Sequence, residues 1–420
     1  MKDILLKKFF EKERWESVID SAVFKRIDKG ELKKLITPEV RVALFDAIIS
    51  NNYKIAPPHQ VLIPKDNGDF RTVYVNENID RIFLSIVNNL LFEMFPEFIH
   101  KNCKSYQSGI GCGKVVQEVS RYICDQESDV VGVKMDLTKY FDTVKIQYID
   151  EIFNKIENKI GKSCILDIVK EYYHTDLCFN PEGDIIQHYQ SLKQGCAVAS
   201  FLADAILYEI DKKANNYNVY YVRYSDDILV LGKNYKSAYS FIKESLESMG
   251  MTLNPKKVEP VYKNKWVKFL GFNIKGNMIS LSKSRLKSFQ KEIESRTIKK
   301  KNINIRNAIQ SINSFMYKGN GTYSWATSVL PIINNQKDLN TLNEFVMDAL
   351  RACITNKKKI GGLGSVNNFE DKTIIRGVGK NVKANRLKTE KEINGYLSIS
   401  CMKNAMLTDR NAYETLVRLM

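Results

Sequence analysis

YYVRYSDDILVLG, residues 220–232, is the stretch from which the rest of the chain can be read. Val219, Tyr221, Val222 and Tyr224 lead in, and Ile228, Leu229, Val230 and Leu231 lead out, a pattern that predicts two buried strands. Between them stand Ser225, Asp226 and Asp227, two adjacent carboxylates at the tip of an apolar hairpin. Aspartate is common in turns, so a plain polar turn satisfies this pattern taken alone. A third carboxylate changes the weighing. DVVGVKMDL (129–137) is an apolar strand-like run that ends in Asp136, 90 residues before Asp226. Charges at the ends of buried strands are costly unless a cation compensates them. Three carboxylates without His or Cys beside them suit a hard ion such as Mg²⁺. Two such ions about 3.5–4 Å apart activate a hydroxyl and stabilise a leaving phosphate.

Composition sets the frame for that chemistry. The 420 residues are 44% hydrophobic and 10% aromatic, enough for a large core or a multi-lobed enzyme. The eight cysteines are scattered with no C-x-x-C pair, which argues against a zinc cluster or a disulfide framework. The charged start MKDILLKKFFEKERWESVID does not read as a signal peptide, and no apolar run reaches membrane-span length. The expectation is a soluble, cytoplasmic protein with no membrane partner. Net charge is +16, and from Lys283 onward Lys and Arg outnumber Asp and Glu by 25 to 11. A near-neutral body with a basic final third predicts a polyanion held mainly by that third.

Four segments are expected along the chain. Residues 1–56 carry apolar residues at helical spacing, as in PEVRVALFDAII. Residues 57–130 open with Pro57-Pro58 and an alternating run that turns at Asn67-Gly68, a hairpin signal. Residues 131–275 hold the Asp136 strand, a helical stretch over roughly 146–176, a hairpin around NPEGD, a long helix from QGCAVASFLADAILYEIDKKA, the 220–232 hairpin, and short strands in MTLN and KFLGFNI. Residues 276–420 read as basic and helical, although the glycines of GGLGSV and RGVGK defeat assignment after Lys359.

With Asp136 in place, the chain resembles reverse transcriptases. YSDD resembles their Tyr-x-Asp-Asp box, and VKMDLTKYFDTV (133–144) resembles the first palm motif. QGCAVASFLADAIL (194–207) resembles the Gln-Gly motif, and GMTLNPKKVE (250–259) and KFLGFNI (268–274) resemble the two motifs that follow the box. Upstream, VLIPKDNGDFRTVYVNENIDRIF (61–83) resembles the fingers motif and SYQSGIGCGKVV (105–116) the one after it. Seven motifs in order cover about half the chain. The fold this implies is α+β: a right-hand polymerase, with fingers and palm of antiparallel sheet and helices, followed by an α-helical thumb.

The resemblance assigns roles residue by residue. Asp136 and Asp226 would ligate two Mg²⁺ ions, with Asp227 close by as a catalytic and partial metal ligand, while Asp142 would be structural. Phe141 matches the ring that stacks under the incoming sugar and excludes a 2′-hydroxyl, which implies deoxynucleotides; the same ring would also serve as ordinary core. Lys65 and Arg71 match the pair that clamps the triphosphate. A three-residue loop over 67–69 would set them opposite each other and a two-residue loop would set them on opposite faces. Gln194 and Gly195 would lie against the nascent base pair, with glycine permitting the approach. Tyr224 would support the primer end, and Lys257 matches the general acid to pyrophosphate, although Lys256 stands next to it.

The sequence also departs from group II intron and retron relatives. Their Pro, Ser and later Asn in the Gln-Gly motif are Ala197, Ala199 and Asp204 here, Ser225 stands in place of an Ala, and a Val-Thr-Gly tripeptide is not found. The basic helical segment SKSRLKSFQKEIESRTIKKKN resembles a thumb that holds a template–primer duplex by its phosphates. No Cys/His endonuclease module follows it. The nearest resemblance is to bacterial defence-associated enzymes of the class 2 type. That implies an RNA template, in particular a structured noncoding RNA encoded nearby, with dNTPs as substrate and DNA as product. Untemplated or protein-primed synthesis by the same palm, a non-catalytic RNA-binding maturase-like role, and a viral-type RNA polymerase are the rival readings.

Overall fold

The computed structural model describes residues 3–21, 24, 27–65, 68–188, 191–300, 303–319, 324–355 and 395–419. Two compact units divide the chain: residues 1–108 with 132–259, and residues 109–131 with 260–420.

The first unit begins with helices α1 (Ile4–Phe9), α2 (Lys12–Val18), α3 (Lys29–Lys34) and α4 (Pro38–Ile49), as the periodicity of 1–56 predicts. Their starts are written locally. Asp3, Asp28 and Thr37 each accept a backbone N–H of the first turn, and Pro38 sits where no donor is needed. Strands β1 (His59–Pro64) and β2 (Phe70–Val75) form the expected hairpin; Asn67 of its predicted turn lies outside the described residues. Helix α5 (Asn78–Met94) follows and is apolar on more than one face. Ile82, Phe83, Leu84, Ile86, Val87, Leu90 and Leu91 are essentially inaccessible, so it runs through the core rather than along its edge. Each such side chain contributes about 1.5–3 kcal/mol by burial.

Strand β3 (Val130–Asp136) leads to the short α7 (Tyr140–Thr143). The helical stretch predicted over 146–176 is two helices, α8 (Ile146–Ile160) and α9 (Cys164–His174). Gly161 divides them at φ +84°, closing α8 with a bond from its N–H to the Glu157 carbonyl. The hairpin around NPEGD is β4 (Leu177–Phe179) and β5 (Ile185–Gln187), which extends the β1–β2 sheet in the order β2-β1-β4-β5. The long helix expected from 194 to 214 is corrected to α10 (Ala199–Ile206) and α11 (Tyr208–Ala214), broken at Leu207. Strands β6 (Tyr220–Tyr224) and β7 (Asp227–Leu231) form the hairpin expected at 220–232, and α12 (Tyr235–Ser248) follows. The strand expected in MTLN is reduced to one bridge, Leu253 with Leu137.

The second unit contains α6 (Cys112–Cys124), which packs on β10 (Phe272–Lys275) and β11 (Met278–Leu281). KFLGFNI is not one strand. It divides between β9 (Val267–Phe269) and β10 around left-handed Leu270, giving the sheet β11-β10-β9; β8 (Glu259–Tyr262) precedes it. Among the described residues of the final third are helices α13 (Lys283–Arg296), α14 (Ile305–Asn313), α15 (Trp325–Ser328), α16 (Gln336–Thr355), α17 (Ile399–Thr408) and α18 (Arg410–Leu419). The GGLGSV and RGVGK segments lie outside the described residues. Among the described residues no helix is long and apolar enough to cross a membrane.

Candidate active site

Strands β6 and β7 pair Tyr224 with Asp227, so the connection is only Ser225 and Asp226. Ser225 takes a left-handed φ of +57°, which a side chain adopts only when its surroundings enforce it. On the other side of β7, strand β3 runs antiparallel in a register that sets Asp136 opposite Asp227. The Leu137 N–H then donates to the Asp226 carbonyl at 3.1 Å. Paired residues of adjacent strands share a face, so Asp136 and Asp227 are side by side with Asp226 at the turn. The three sequence-predicted carboxylates are therefore neighbours, carried on the interior strands of one sheet.

Their surroundings favour a cation. Asp136 is 6% exposed, and Asp226 and Asp227 are partly buried. Burial first, and Asp136 next, raise the proton affinity of Asp226. Burial, with Asp226 as the second cause, pushes Asp227 up to about 6, opposed by the Lys134 ammonium. Lys134 stands two residues before Asp136 on β3, hence on the same face. Lys257, in the turn after Leu253, places Nζ 2.7 Å from Asp136 Oδ2. This separates Lys257 from Lys256, whose own backbone N–H is bound to Asn254 and whose side chain is not on the carboxylate.

Among the described residues, no three His, Cys, Asp or Glu side chains close a metal cage by themselves. The donor set nonetheless fits a hard divalent ion. All donors are carboxylate oxygens, partly desolvated and mutually repelling, and Mg²⁺ ordinarily completes its shell with waters and substrate phosphates.

Beside the carboxylates lies a cavity of about 470 Å³ whose lining includes Ile63, Arg71, Tyr106, Phe141, Gln194 and Gly195. Lys65 is exposed and does not line it. Neither register weighed for the β1–β2 hairpin is adopted. Arg71 pairs with Ile63, and the Lys65 N–H bonds the Asp69 carbonyl at 2.7 Å. Lys65 and Arg71 thus share a face, offset by one cross-strand pair.

Gly195 has a reason for being glycine within the fold itself. At φ +108°, a Cβ would fall 2.5 Å from Val73 Cγ1 and 2.6 Å from the Tyr74 carbonyl oxygen. It is β2 that needs the space, held there by the Tyr74 N–H to Gln194 carbonyl bond of 2.7 Å. Tyr224 ends β6 opposite Asp227. Asp142 bonds through its backbone N–H to Lys139 in the α7 turn.

Sequence reading passed over three residues. Tyr106 lines the cavity, and its hydroxyl is 3.2 Å from Ser225 Oγ. Lys134 faces the carboxylates, and Arg223 lies buried under the turn. The signal for the last two was a charge inside an otherwise apolar strand, at V-K-M and V-R-Y.

The family model for reverse transcriptase (RNA-dependent DNA polymerase) matches residues 63–274, just over half of the chain. The chain belongs to the reverse transcriptase family. All ten sequence-predicted site residues fall within the matched span, and the fold is the α+β polymerase fold that the motifs implied. Among curated proteins this reverse transcriptase is similar to the COX1/OXI3 intron 1 protein of Saccharomyces cerevisiae, 22% identical over 310 residues covering 60% of this chain and 36% of that one. The COX1/OXI3 intron 2 protein of the same yeast is 22% identical over 308 residues, covering 54% and 33%. The chain thus spans about a third of the length of these relatives. Among solved structures, an apo telomerase from Candida tropicalis aligns at 12% identity with TM-score 0.46, covering 87% of this chain and 68% of that chain.

Proposed function

We propose that the protein is an RNA-directed DNA polymerase that joins deoxynucleotides by two-metal nucleotidyl transfer. The observation that carries this reading is the β3–β7 register, which brings Asp136 beside Asp226 and Asp227 from 90 residues away. In the reaction, a primer 3′-oxygen bonds to the α-phosphorus of the incoming nucleotide. The bond from that phosphorus to the bridging oxygen breaks, and pyrophosphate leaves. Mg²⁺ ions, when bound by Asp136, Asp226 and Asp227, lower the pKa of the 3′-hydroxyl and neutralise phosphate charge.

The chain's own residues supply the rest. Arg71, exposed on β2, lines the cavity and would supply a cation for the triphosphate, and Lys65 shares its face of the hairpin. The Phe141 ring and Gln194 line the cavity, where the ring would meet a 2′-hydroxyl and Gln194 a base pair, while Tyr224, opposite Asp227, would support the primer end. Lys257, an ammonium held 2.7 Å from a metal-binding carboxylate, stands ready to give its proton to the departing pyrophosphate. The template is RNA, a structured noncoding RNA encoded nearby, held by the basic helices of the final third. The setting is the cytoplasm of a bacterium, and the role is defence against phage.

The test is primer extension on an RNA template with Mg²⁺, comparing deoxynucleotides with ribonucleotides and sequencing the products. Template-complementary DNA, abolished by Asp226→Ala/Asp227→Ala, is the expected result. Homopolymer or random DNA that still needs the aspartates would replace templated with untemplated synthesis. No synthesis even after copurifying RNA is added back would leave an RNA-binding role. For the defence role, phage plating on cells with wild-type protein and with the double variant is compared; equal plaque counts would remove it.

A further inference from the structure

Beneath the catalytic turn lies a charged cluster that the roles above do not use. Arg223, three residues before Asp226, is fully buried, a placement that a guanidinium tolerates only when its donors are met. Nε donates to Asp211 Oδ1 at 2.8 Å and Nη2 to Asp211 Oδ2 at 2.7 Å, a two-pronged fork. Nη2 also reaches the Asp204 carbonyl at 2.9 Å. Nη1 reaches the carbonyls of Ala203 at 3.4 Å and of Ser225 at 3.2 Å. The Arg223 backbone is itself clamped, its N–H donating to Asn102 and its carbonyl accepting from Lys104.

This one side chain accounts for two irregularities. The carbonyls of Ala203 and Asp204 are those that an unbroken helix would offer to the N–H groups of Leu207 and Tyr208. Arg223 draws on both, and the Tyr140 hydroxyl adds a bond of 2.7 Å to the first. The helix breaks at Leu207, whose N–H turns to Ala205. The same guanidinium holds the carbonyl of Ser225, the residue kept at left-handed φ. Asp204 also finds its purpose. Its Oδ1 accepts from Ser105 at 2.6 Å and lies 3.6 Å from Arg223 Nη1, while Oδ2 is buried without a partner among the described residues. A neutral amide there would remove half of the negative charge that faces the guanidinium.

We propose that Arg223, held between Asp204 and Asp211, is a positioning residue that fixes the catalytic turn and so sets Asp226 against Asp136. The inference rests on the polymerase reading for its kinetic consequence but not for its geometric one. Two partly desolvated carboxylates on one short turn repel, and a left-handed serine prefers to relax. A rigid fork bonded to the carbonyl just before Asp226 opposes both, and a lysine point charge cannot reproduce it.

The experiment uses the full chain with Arg223→Lys and Asp204→Asn, the latter retaining an acceptor for Ser105. For Arg223→Lys, kcat for single-nucleotide incorporation falls at least about tenfold while KM for dNTP stays within about threefold. Asp204→Asn moves kcat the same way by about three- to tenfold. Binding of Mn²⁺ to the protein alone, followed by isothermal titration, weakens about threefold or more in both variants, with thermal unfolding as cooperative as wild type. Wild-type kcat and Mn²⁺ affinity in both variants would overturn the proposal. So would activity that falls only in proportion to the folded fraction. If Arg223→Lys does not fold, Asp204→Asn decides by the same measurements. If the wild-type protein makes no DNA, the polymerase reading fails by itself, and unchanged Mn²⁺ affinity in the variants separately overturns the positioning role.

Discussion

Lys257 Nζ lies 2.7 Å from Asp136 Oδ2, so one of the three clustered carboxylates already has a cation of the chain's own beside it. The Lys257 side chain is half-exposed, so this pair is a light tether rather than a stability element. On the proposed reading, the ammonium acts on the departing pyrophosphate. Lys257→Met is expected to lower kcat about 10- to 100-fold with little change in KM, whereas Lys256→Met leaves kcat within about twofold. Single-turnover incorporation measured for both variants separates them. Equal effects at the two positions would remove the assignment.

Phe141 and Arg71 line one cavity, and each predicts a different defect. Phe141→Ala opens the wall facing the sugar, so kcat/KM for ribonucleotides relative to deoxynucleotides rises by about tenfold or more. Arg71→Ala removes charge from the triphosphate and raises KM for every nucleotide alike, by about tenfold. Incorporation kinetics with matched dNTP and rNTP pairs read both.

Gly195→Ala meets two obstacles at once: a positive φ of +108° and a Cβ 2.6 Å from the Tyr74 carbonyl oxygen. Destabilisation of about 2–4 kcal/mol is expected, since the clash is with backbone that cannot swing away. Urea denaturation measures it. A variant as stable as wild type would show that β2 yields.

In the second unit, Asp338 is 1% exposed, with Oδ2 bonded to Ser280 and Oδ1 without a partner among the described residues. Burial pushes its carboxyl up to about 7. The folded state therefore binds this proton more tightly than the unfolded chain, whose value is about 4. Stability from this group is fully present below about pH 4 and is lost as pH rises toward 7, by roughly 2–4 kcal/mol in all. Asp338→Asn should flatten that part of the pH–stability curve and gain on wild type at pH 8. Denaturant midpoints at pH 5 and pH 8 for both proteins check the sign.

On α13, Lys283, Lys287 and Lys291 recur every fourth residue and are all exposed, making one basic stripe. Replacing all three by Gln should weaken template–primer binding by a similar factor for any sequence. It should also lower the slope of log K against log salt by about 2–3. A sequence-dependent loss would point away from phosphate contacts.

The sequence by itself determined the elements and the chemistry at the strand ends. Period-two apolar runs broken by Asp136 and by Ser225-Asp226-Asp227 are local facts, because a carboxylate that ends a buried strand requires a cation wherever the strand lies. The division of KFLGFNI, the pairing of Arg71 with Ile63 and the break at Leu207 are matters of which partner each backbone group finds. That choice depends on segments far away in sequence. Arg223 takes the carbonyls that α10 would have used, and the approach of Val73 and Tyr74 leaves no room for a side chain at 195. Tertiary structure also chose between Lys256 and Lys257, because only the turn after Leu253, fixed by the bond from the Asn254 N–H to the Asp136 carbonyl, decides which ammonium faces the carboxylate. Charge and hydrophobicity are written residue by residue, whereas hydrogen-bond partners and approach distances exist only once distant strands are in register.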